Sequence, residues 1–334
     1  MGYKTHLMFE DAIFNIKNEQ AFNQLALAIF KYQFEHNTLY RSFCDLLYKH
    51  PDDIAAISEI PFLPITFFKS HTVLSVTEQQ PDLLCFESSG TTGTQTSKHY
   101  VADVRLYEKS FITNFELHYG PIEDFVILAL LPSYLERSGS SLVYMVDSLI
   151  KQTKHPDSGF YLHDFSALSE KIRQLEQRKQ KTLLIGVSFA LLDFIDQYSF
   201  NLEHTIIMET GGMKGRRKEL VRDELHSRLC NGFGVNQIHS EYGMTELLSQ
   251  AYSSGEGIFT TPPWMKIMIR DPEDALTIYQ KPRSGGLNII DLCNINSCSF
   301  IATQDIGNQI TDSQFKVMGR FDQADIRGCN LLTL

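Results

Sequence analysis

The chain has 334 residues, 43% of them hydrophobic and 21% charged, near the averages of globular domains, which argues against disordered, collagen-like and coiled-coil classes. A net charge of −10 disfavours nucleic acid as a partner. The longest purely apolar run, residues 125–131, is far shorter than the roughly 20 residues of a membrane span. The N-terminal residues MGYKTHLMFE lack the basic and apolar regions of a signal peptide. Six cysteines with no C-x2-C spacing fit a reducing, cytoplasmic setting rather than zinc or disulfides.

Phe22, Leu25, Ile29 and Tyr32, then Leu39, Phe43, Leu46 and Leu47, recur at helical spacing and predict two helices. Pro61 and Pro64 break that pattern. From about residue 84, short apolar runs at 125–131, 182–187 and 205–208 alternate with helical patterns at 191–198 and 214–229. Such alternation predicts a largely parallel, buried sheet. After residue 255 turn residues multiply (Pro262, Pro263, Pro272, Pro282, Gly285, Gly286), and short strands predict a β-rich part of its own. The expected organisation is a helical part over 1–80, an α/β nucleotide-binding core over 81–254, and a β-rich part with a C-terminal tail over 255–334.

Five stretches carry chemistry. In residues 87–98, ESSGTTGTQTSK, glycines and small hydroxyl residues (Ser88, Ser89, Gly90, Thr91, Thr92, Gly93) let backbone N–H groups converge on an anion; a flexible polar loop is the alternative. In residues 240–246, SEYGMTE, Thr245 suits a phosphate and Glu246 a Mg²⁺ ion, while a helix start capped by Thr245 is the plainer reading. Gly211 and Gly212 in ETGGMK allow a close approach to a flat base at a strand end, or simply form a tight turn. Asp305 in TQDIG has the acceptors for ribose hydroxyls, and Arg320 in GRFDQADIRG is a donor for ribose or phosphate. The 11 histidines show neither H-x-x-x-H nor H-E-x-x-H spacing, so no structural metal is predicted. Trp264, the single tryptophan, and the aromatic residues of the first third read as core packing.

In order and type these five stretches resemble the adenylate-forming superfamily. Residues 89–93 are similar to its S-G-T-T-G phosphate loop, Tyr242-Gly243-Met244-Thr245-Glu246 to its Y-G-x-T-E motif, Thr303-Gln304-Asp305 to its T-G-D motif, and Gly319-Arg320-Phe321-Asp322 to its G-R-x-D hinge. A closer resemblance is to the acyl-protein synthetases of bacterial bioluminescence operons, the LuxE family. It is carried by Ile60-Pro61-Phe62-Leu63-Pro64, Phe68-Lys69, Gly211-Gly212-Met213-Lys214-Gly215, Pro262-Pro263-Trp264 and Arg327-Gly328-Cys329-Asn330-Leu331.

The resemblance implies an adenylate-forming large domain, mostly parallel sheets layered with helices plus a small β subdomain. Few residues follow Asp322, so the mobile C-terminal domain of acyl-CoA ligases is expected to be lacking. The resemblance also implies a ligase that activates a fatty acid with ATP and Mg²⁺ as acyl-AMP. The acyl group then passes to the enzyme's own Cys329 as a thioester and on to an acyl reductase partner. Ser88 to Gly93 would cradle phosphates, Gly211 and Gly212 would flank adenine, Tyr242 and Gly243 would belong to the nucleotide site, and Asp305 and Arg320 would hold the ribose. Two departures stand out: Gln304 replaces the usual glycine, and Lys98 lies five residues beyond Gly93, further than the family's phosphate-loop lysine. Two other readings are open: an acyl- or aryl-CoA ligase related to phenylacetate–CoA ligases, and a non-catalytic nucleotide-binding subunit of a reductase complex.

Overall fold

A computed structural model describes residues 9–75, 83–89, 95–132, 139–211 and 220–321. The strands are β1 (Leu63–Pro64), β2 (Leu84–Glu87), β3 (Lys98–Val101), β4 (Val126–Leu130), β5 (Gly159–Phe160), β6 (Thr182–Gly186) and β7 (Thr205–Glu209). They continue with β8 (His239–Tyr242), β9 (Ala251–Ser253), β10 (Ile258–Thr260), β11 (Met265–Arg270), β12 (Ser284–Asp291), β13 (Phe300–Gln309) and β14 (Gln314–Arg320). One twelve-stranded sheet runs β11-β12-β13-β14-β10-β9-β8-β7-β6-β4-β5, with β1 paired to β13, and β2-β3 form a separate hairpin.

The half from β5 to β8 is parallel. Its central strands are apolar on both faces, and alternation along them feeds two cores. Ile127 and Ala129 pack with Met145, Val146 and Leu149 of the helix Ser141–Thr153. Val126, Leu128 and Leu130 pack on the other side with Leu168, Ile172, Phe194 and Leu229. Helices therefore cover both faces, as a buried parallel sheet requires. The mixed α/β fold expected from the sequence is present.

The last third does not form a sheet of its own. After β8 the chain turns back over residues 243–250 into β9, antiparallel to β8, and β10 and β14 continue from there. The helical first third is locked onto this half. Gln33, fully buried on the helix Glu19–His36, donates to the carbonyls of Asn294 and Ile295 and accepts the Ser299 N–H at 2.9 Å. Asn37 closes that helix and caps the next, Thr38–Leu46, accepting the Tyr40 N–H at 3.0 Å. Trp264 is buried, its Nε1–H between the hydroxyls of Ser110 and Ser249.

Two local expectations are corrected. The helix expected over 214–229 is Arg222–Phe233, preceded by non-helical Leu220 and extended Val221, while 212–219 lie outside the described residues. The run of Lys, Arg and Glu before it is compatible with a helix, but Asp223 and Glu224 mark the true first turn, where acidic groups face the helix dipole favourably. The helix start capped by Thr245 is absent: Thr245 and Glu246 form a turn closed by the Leu247 N–H on the Met244 carbonyl at 3.1 Å.

Asp291 fixes the chain just beyond that turn. Its fully buried carboxylate accepts the N–H groups of Leu248 (2.8 Å), Ser249 (3.0 Å) and Cys293 (3.2 Å) and the Ser249 hydroxyl (2.6 Å). Asp291→Ala would strand these donors in the core, and chemical denaturation should show a loss of about 3 kcal/mol or more, since each orphaned buried donor costs roughly 1–3 kcal/mol.

Candidate functional site

The described candidate residues converge where the parallel half of the sheet meets the antiparallel half, at the C-terminal ends of β6, β7 and β8, the usual ligand position in open α/β sheets. Three groups stand there.

The first is the Thr245–Glu246 turn. His99 on β3 is buried, and its Nδ1–H donates to the Thr245 carbonyl at 2.8 Å; burial holds the ring neutral, its pKa lowered to about 4. Asn294 donates to the Glu246 carbonyl at 2.7 Å. Glu246 itself is 5% exposed. Burial raises its pKa against the opposing pull of the Ser97 hydroxyl and the charges of Arg320 and Lys69. Ser97 links this turn to the loop after β2: the Ser88 N–H donates to the Ser97 carbonyl at 3.0 Å, and the Ser97 N–H to the Ser88 hydroxyl at 2.9 Å. Ser89 follows Ser88 in that loop; Gly90, Thr91, Thr92 and Gly93 lie outside the described residues. Lys98 starts β3 opposite Glu87, and its Nζ lies 3.5 Å from the Glu87 carboxylate, half-exposed.

The second group is Tyr242, Asp305 and Arg320. Asp305 and Arg320 are paired in register across β13 and β14, with Arg320 Nε 3.2 Å from Asp305 Oδ1. The Tyr242 hydroxyl donates to Asp305 Oδ2 at 2.8 Å. Thr303 Oγ1 accepts the Asp305 N–H and donates to the Leu287 carbonyl. Arg270 braces the strand from behind, donating to the carbonyls of Thr303 and Leu287. Gln304 continues β13 without left-handed backbone, so a side chain is tolerated where the resembling motif has glycine.

The third group lies at the ends of β6 and β7. Gly211 is left-handed (φ +73°), and among the described residues an added Cβ there would meet nothing within 4 Å. Gly212 lies outside the described residues, as does Cys329. Tyr242 and Glu241 alternate across β8, so Glu241 faces away from Asp305 and toward its register partner Tyr252. Gly243 makes room for it: a Cβ at 243 would run into Glu241 Oε1. The structure thus brings Ser88, Thr245 and Glu246 together, and Tyr242, Asp305 and Arg320 together, while Lys98 is engaged with Glu87. His99, Asp291 and Asn294, which support these groups, carry no motif in the sequence and become visible only through the long-range packing of β3 and of the short helix Leu292–Asn296.

Comparison with known proteins agrees with this architecture. Residues 6–114 match the acyl-protein synthetase family LuxE. The chain is 26% identical over 309 residues to the long-chain-fatty-acid–luciferin-component ligase of Vibrio harveyi, covering 87% of this chain and 80% of that protein. The fold is that of adenylate-forming ligases. An ATP-bound MatB from Rhodopseudomonas palustris superposes with a TM-score of 0.53 at 15% identity, over 74% of this chain and 50% of MatB. A 2-hydroxyisobutyryl-CoA ligase, in complex with 2-HIB-AMP and CoA, superposes with a TM-score of 0.65 at 12% identity, over 92% of this chain and 70% of that one. The chain therefore spans about half the length of the MatB structure but most of its curated relative. Its first third is thus similar to the LuxE acyl-protein synthetases, and its fold to that of adenylate-forming ligases. Among the described residues no helix is long and apolar enough to cross a membrane.

Glu241 gives this region a pH signature. Burial first, and the nearby Glu209 carboxylate second, push its carboxyl up to about 8. An acid whose folded pKa is raised binds its proton more tightly when folded, so the associated stability is complete below about pH 4.5 and is lost as pH rises to about 8. Glu241→Gln should therefore gain thermal stability relative to the parent as pH climbs from 5 to 9, and melting curves across that range check it.

Proposed function

We propose that this protein is an ATP-dependent acyl-protein synthetase, activating a fatty acid as its acyl-adenylate and carrying the acyl group on its own Cys329 to an acyl reductase partner. The observation that carries the reading is the Tyr242–Asp305–Arg320 set beside the buried Glu246 turn, at the strand ends where a nucleotide binds in open α/β sheets. The family match and the curated relative's name, a long-chain-fatty-acid ligase, point to the acyl class.

A carboxylate is a poor electrophile, and conversion to a mixed anhydride with AMP supplies a good leaving group. The fatty-acid oxygen attacks the α-phosphorus of ATP, the bond to the β-phosphate oxygen breaks, and pyrophosphate leaves. The chain's part is to place reactants in line and to balance phosphate charge. Among the described residues each of the two Asp305 carboxylate oxygens has one donor, which leaves acceptor positions for ribose hydroxyls. Arg320 is tied to Asp305 and its charge reaches Glu246, so it stands between the ribose and phosphate positions. Ser88 supplies its hydroxyl, and the residues up to Gly93 N–H and hydroxyl donors, to phosphate oxygens, with Lys98 as a further cation if it leaves Glu87. Thr245 is fixed through its carbonyl by His99, which leaves its hydroxyl to the α-phosphate. Gly211 and Gly212 flank the adenine.

Glu246 fits Mg²⁺: a single buried carboxylate beside a hydroxyl is a hard-oxygen set, and its raised pKa reflects a desolvated charge that a cation would relieve. The ion would neutralise phosphate charge there. For the second half-reaction the thiolate attacks the acyl carbon, AMP leaves, and the thiol proton passes to solvent or to the phosphate. The five described cysteines are unsuited: burial raises the thiol pKa of each, that of Cys44 to about 12. This supports Cys329, near the end of the chain, as the acyl carrier. The setting we infer is the cytoplasm.

Intact-protein mass after incubation with ATP, Mg²⁺ and a panel of fatty acids tests the reading. The expected result is a gain of one acyl group less water, removed by hydroxylamine and absent in Cys329→Ala. Acylation persisting in that variant would overturn the role of Cys329, and a soluble CoA thioester formed without enzyme acylation would favour the CoA-ligase reading.

A further inference from the structure

A second buried charge stands beside the site. Glu209 ends β7, is 6% exposed, and lies two residues before Gly211. Its Oε2 accepts the Gly211 N–H at 2.7 Å and the Ser188 hydroxyl at 3.1 Å. Its Oε1 lies 3.6 Å from His226 Nε2 on the helix Arg222–Phe233. The Gly211 carbonyl is held as well, by the Ser188 N–H at 2.8 Å, and the Thr210 N–H reaches the Gly186 carbonyl at 3.1 Å. Both polar backbone groups of Gly211 are thereby fixed, the N–H by Glu209 of β7 and the carbonyl by Ser188 at the start of the helix Ser188–Ile195, and among the described residues a Cβ on Gly211 would meet nothing within 4 Å.

A carboxylate in this place is costly unless its partners are in order. Burial pushes its pKa up, but the His226 ring, the Ser240 hydroxyl and the Gly211 N–H outweigh burial and hold it below the usual range, so it is ionised. The same charge raises the neighbouring Glu241. A neutral side chain would avoid that repulsion and still fill the volume. What only an ionised acceptor supplies is a strong hold on the Gly211 N–H and the Ser188 hydroxyl together. Left-handed backbone costs glycine little, so glycine alone would also leave the turn free to relax; the carboxylate removes that freedom.

We propose that Glu209 is a positioning residue for the nucleotide: it locks the left-handed Gly211 turn so that its backbone forms one wall for the purine base. This rests on the placement of adenine at Gly211 in the proposed function. A preformed wall lowers the ordering cost of binding ATP and does not touch the reacting atoms, so its signature is a split between parameters.

The test measures KM for ATP, KM for the fatty acid and kcat from pyrophosphate release, with calorimetric binding of ATP in the absence of acid. Glu209→Ala should raise KM for ATP and the calorimetric Kd about tenfold or more, as expected for loss of a charge-assisted hydrogen bond, with kcat at saturating ATP and KM for the acid within about twofold. Glu209→Gln, which keeps an acceptor oxygen, should recover part of the loss. Ser188→Ala, which removes one donor and leaves the strand intact, should shift KM for ATP in the same direction by a smaller factor and covers the case in which Glu209→Ala does not fold. Unchanged ATP affinity in folded Glu209 and Ser188 variants, or equal losses in all three parameters, would overturn the proposal. A parent enzyme that binds ATP but releases no pyrophosphate would sink the functional reading while calorimetry still decides the role of Glu209; a parent that binds no ATP would sink both.

Discussion

The candidate site depends on one buried interaction, the Asp291 carboxylate gathering two consecutive N–H groups just beyond the Glu246 turn. The turn leaves β8, the last parallel strand, and must reverse into antiparallel β9. A reversal of that kind leaves several backbone donors with no ladder partner, and in the interior they need an acceptor of high capacity. Asp291 meets that need from the end of β12, while Asn294 holds the Glu246 carbonyl and Gln33 holds the Asn294 carbonyl. The helix Glu19–His36, the second half of the sheet and the acidic turn are thus one hydrogen-bonded unit. Replacing any of its members by an apolar residue would leave others unpaired in a medium where water cannot substitute.

This arrangement explains why the described polar groups can be aimed without being mobile. Tyr242 and Glu241, adjacent on β8, serve opposite sides of the sheet: one completes the Asp305 pair, the other lies against Tyr252 and is raised by the Glu209 charge. The Asp305–Arg320 pair comes from two long antiparallel strands, braced from beneath by Arg270. Each of these side chains stands on a strand or on a turn bolted to one, which is the preorganisation that the proposed phosphoryl chemistry requires.

Much of this was legible in the sequence because it is local. The short apolar runs at 125–131, 182–187 and 205–208 announced β4, β6 and β7, and the aromatic and leucine spacing announced the helices Glu19–His36 and Thr38–Leu46. Tyr242, Asp305 and Arg320 were recognisable because their motifs are contiguous. The helix start at residue 214 was misplaced because helical propensity alone does not mark an N-terminus when lysine and arginine precede the acidic first turn. Thr245 resembled a cap because a small hydroxyl residue before an acid is also how helices begin, and only the pairing of β8 with β9 excludes it. Asp291 and His99 reach Leu248, Ser249 and Thr245 across 42 to 146 residues, and no periodicity records such contacts. Glu209 left one trace, an acid closing an apolar strand beside two glycines.

The central claim is that the reaction proceeds through an acyl-adenylate. Exchange of labelled pyrophosphate into ATP, followed with and without fatty acid, measures that step alone, before any thiol is involved. Adenylation at this site predicts exchange that requires both the acid and Mg²⁺ and survives in Cys329→Ala. Exchange independent of acid, or turnover that releases ADP and phosphate in place of AMP and pyrophosphate, would contradict it.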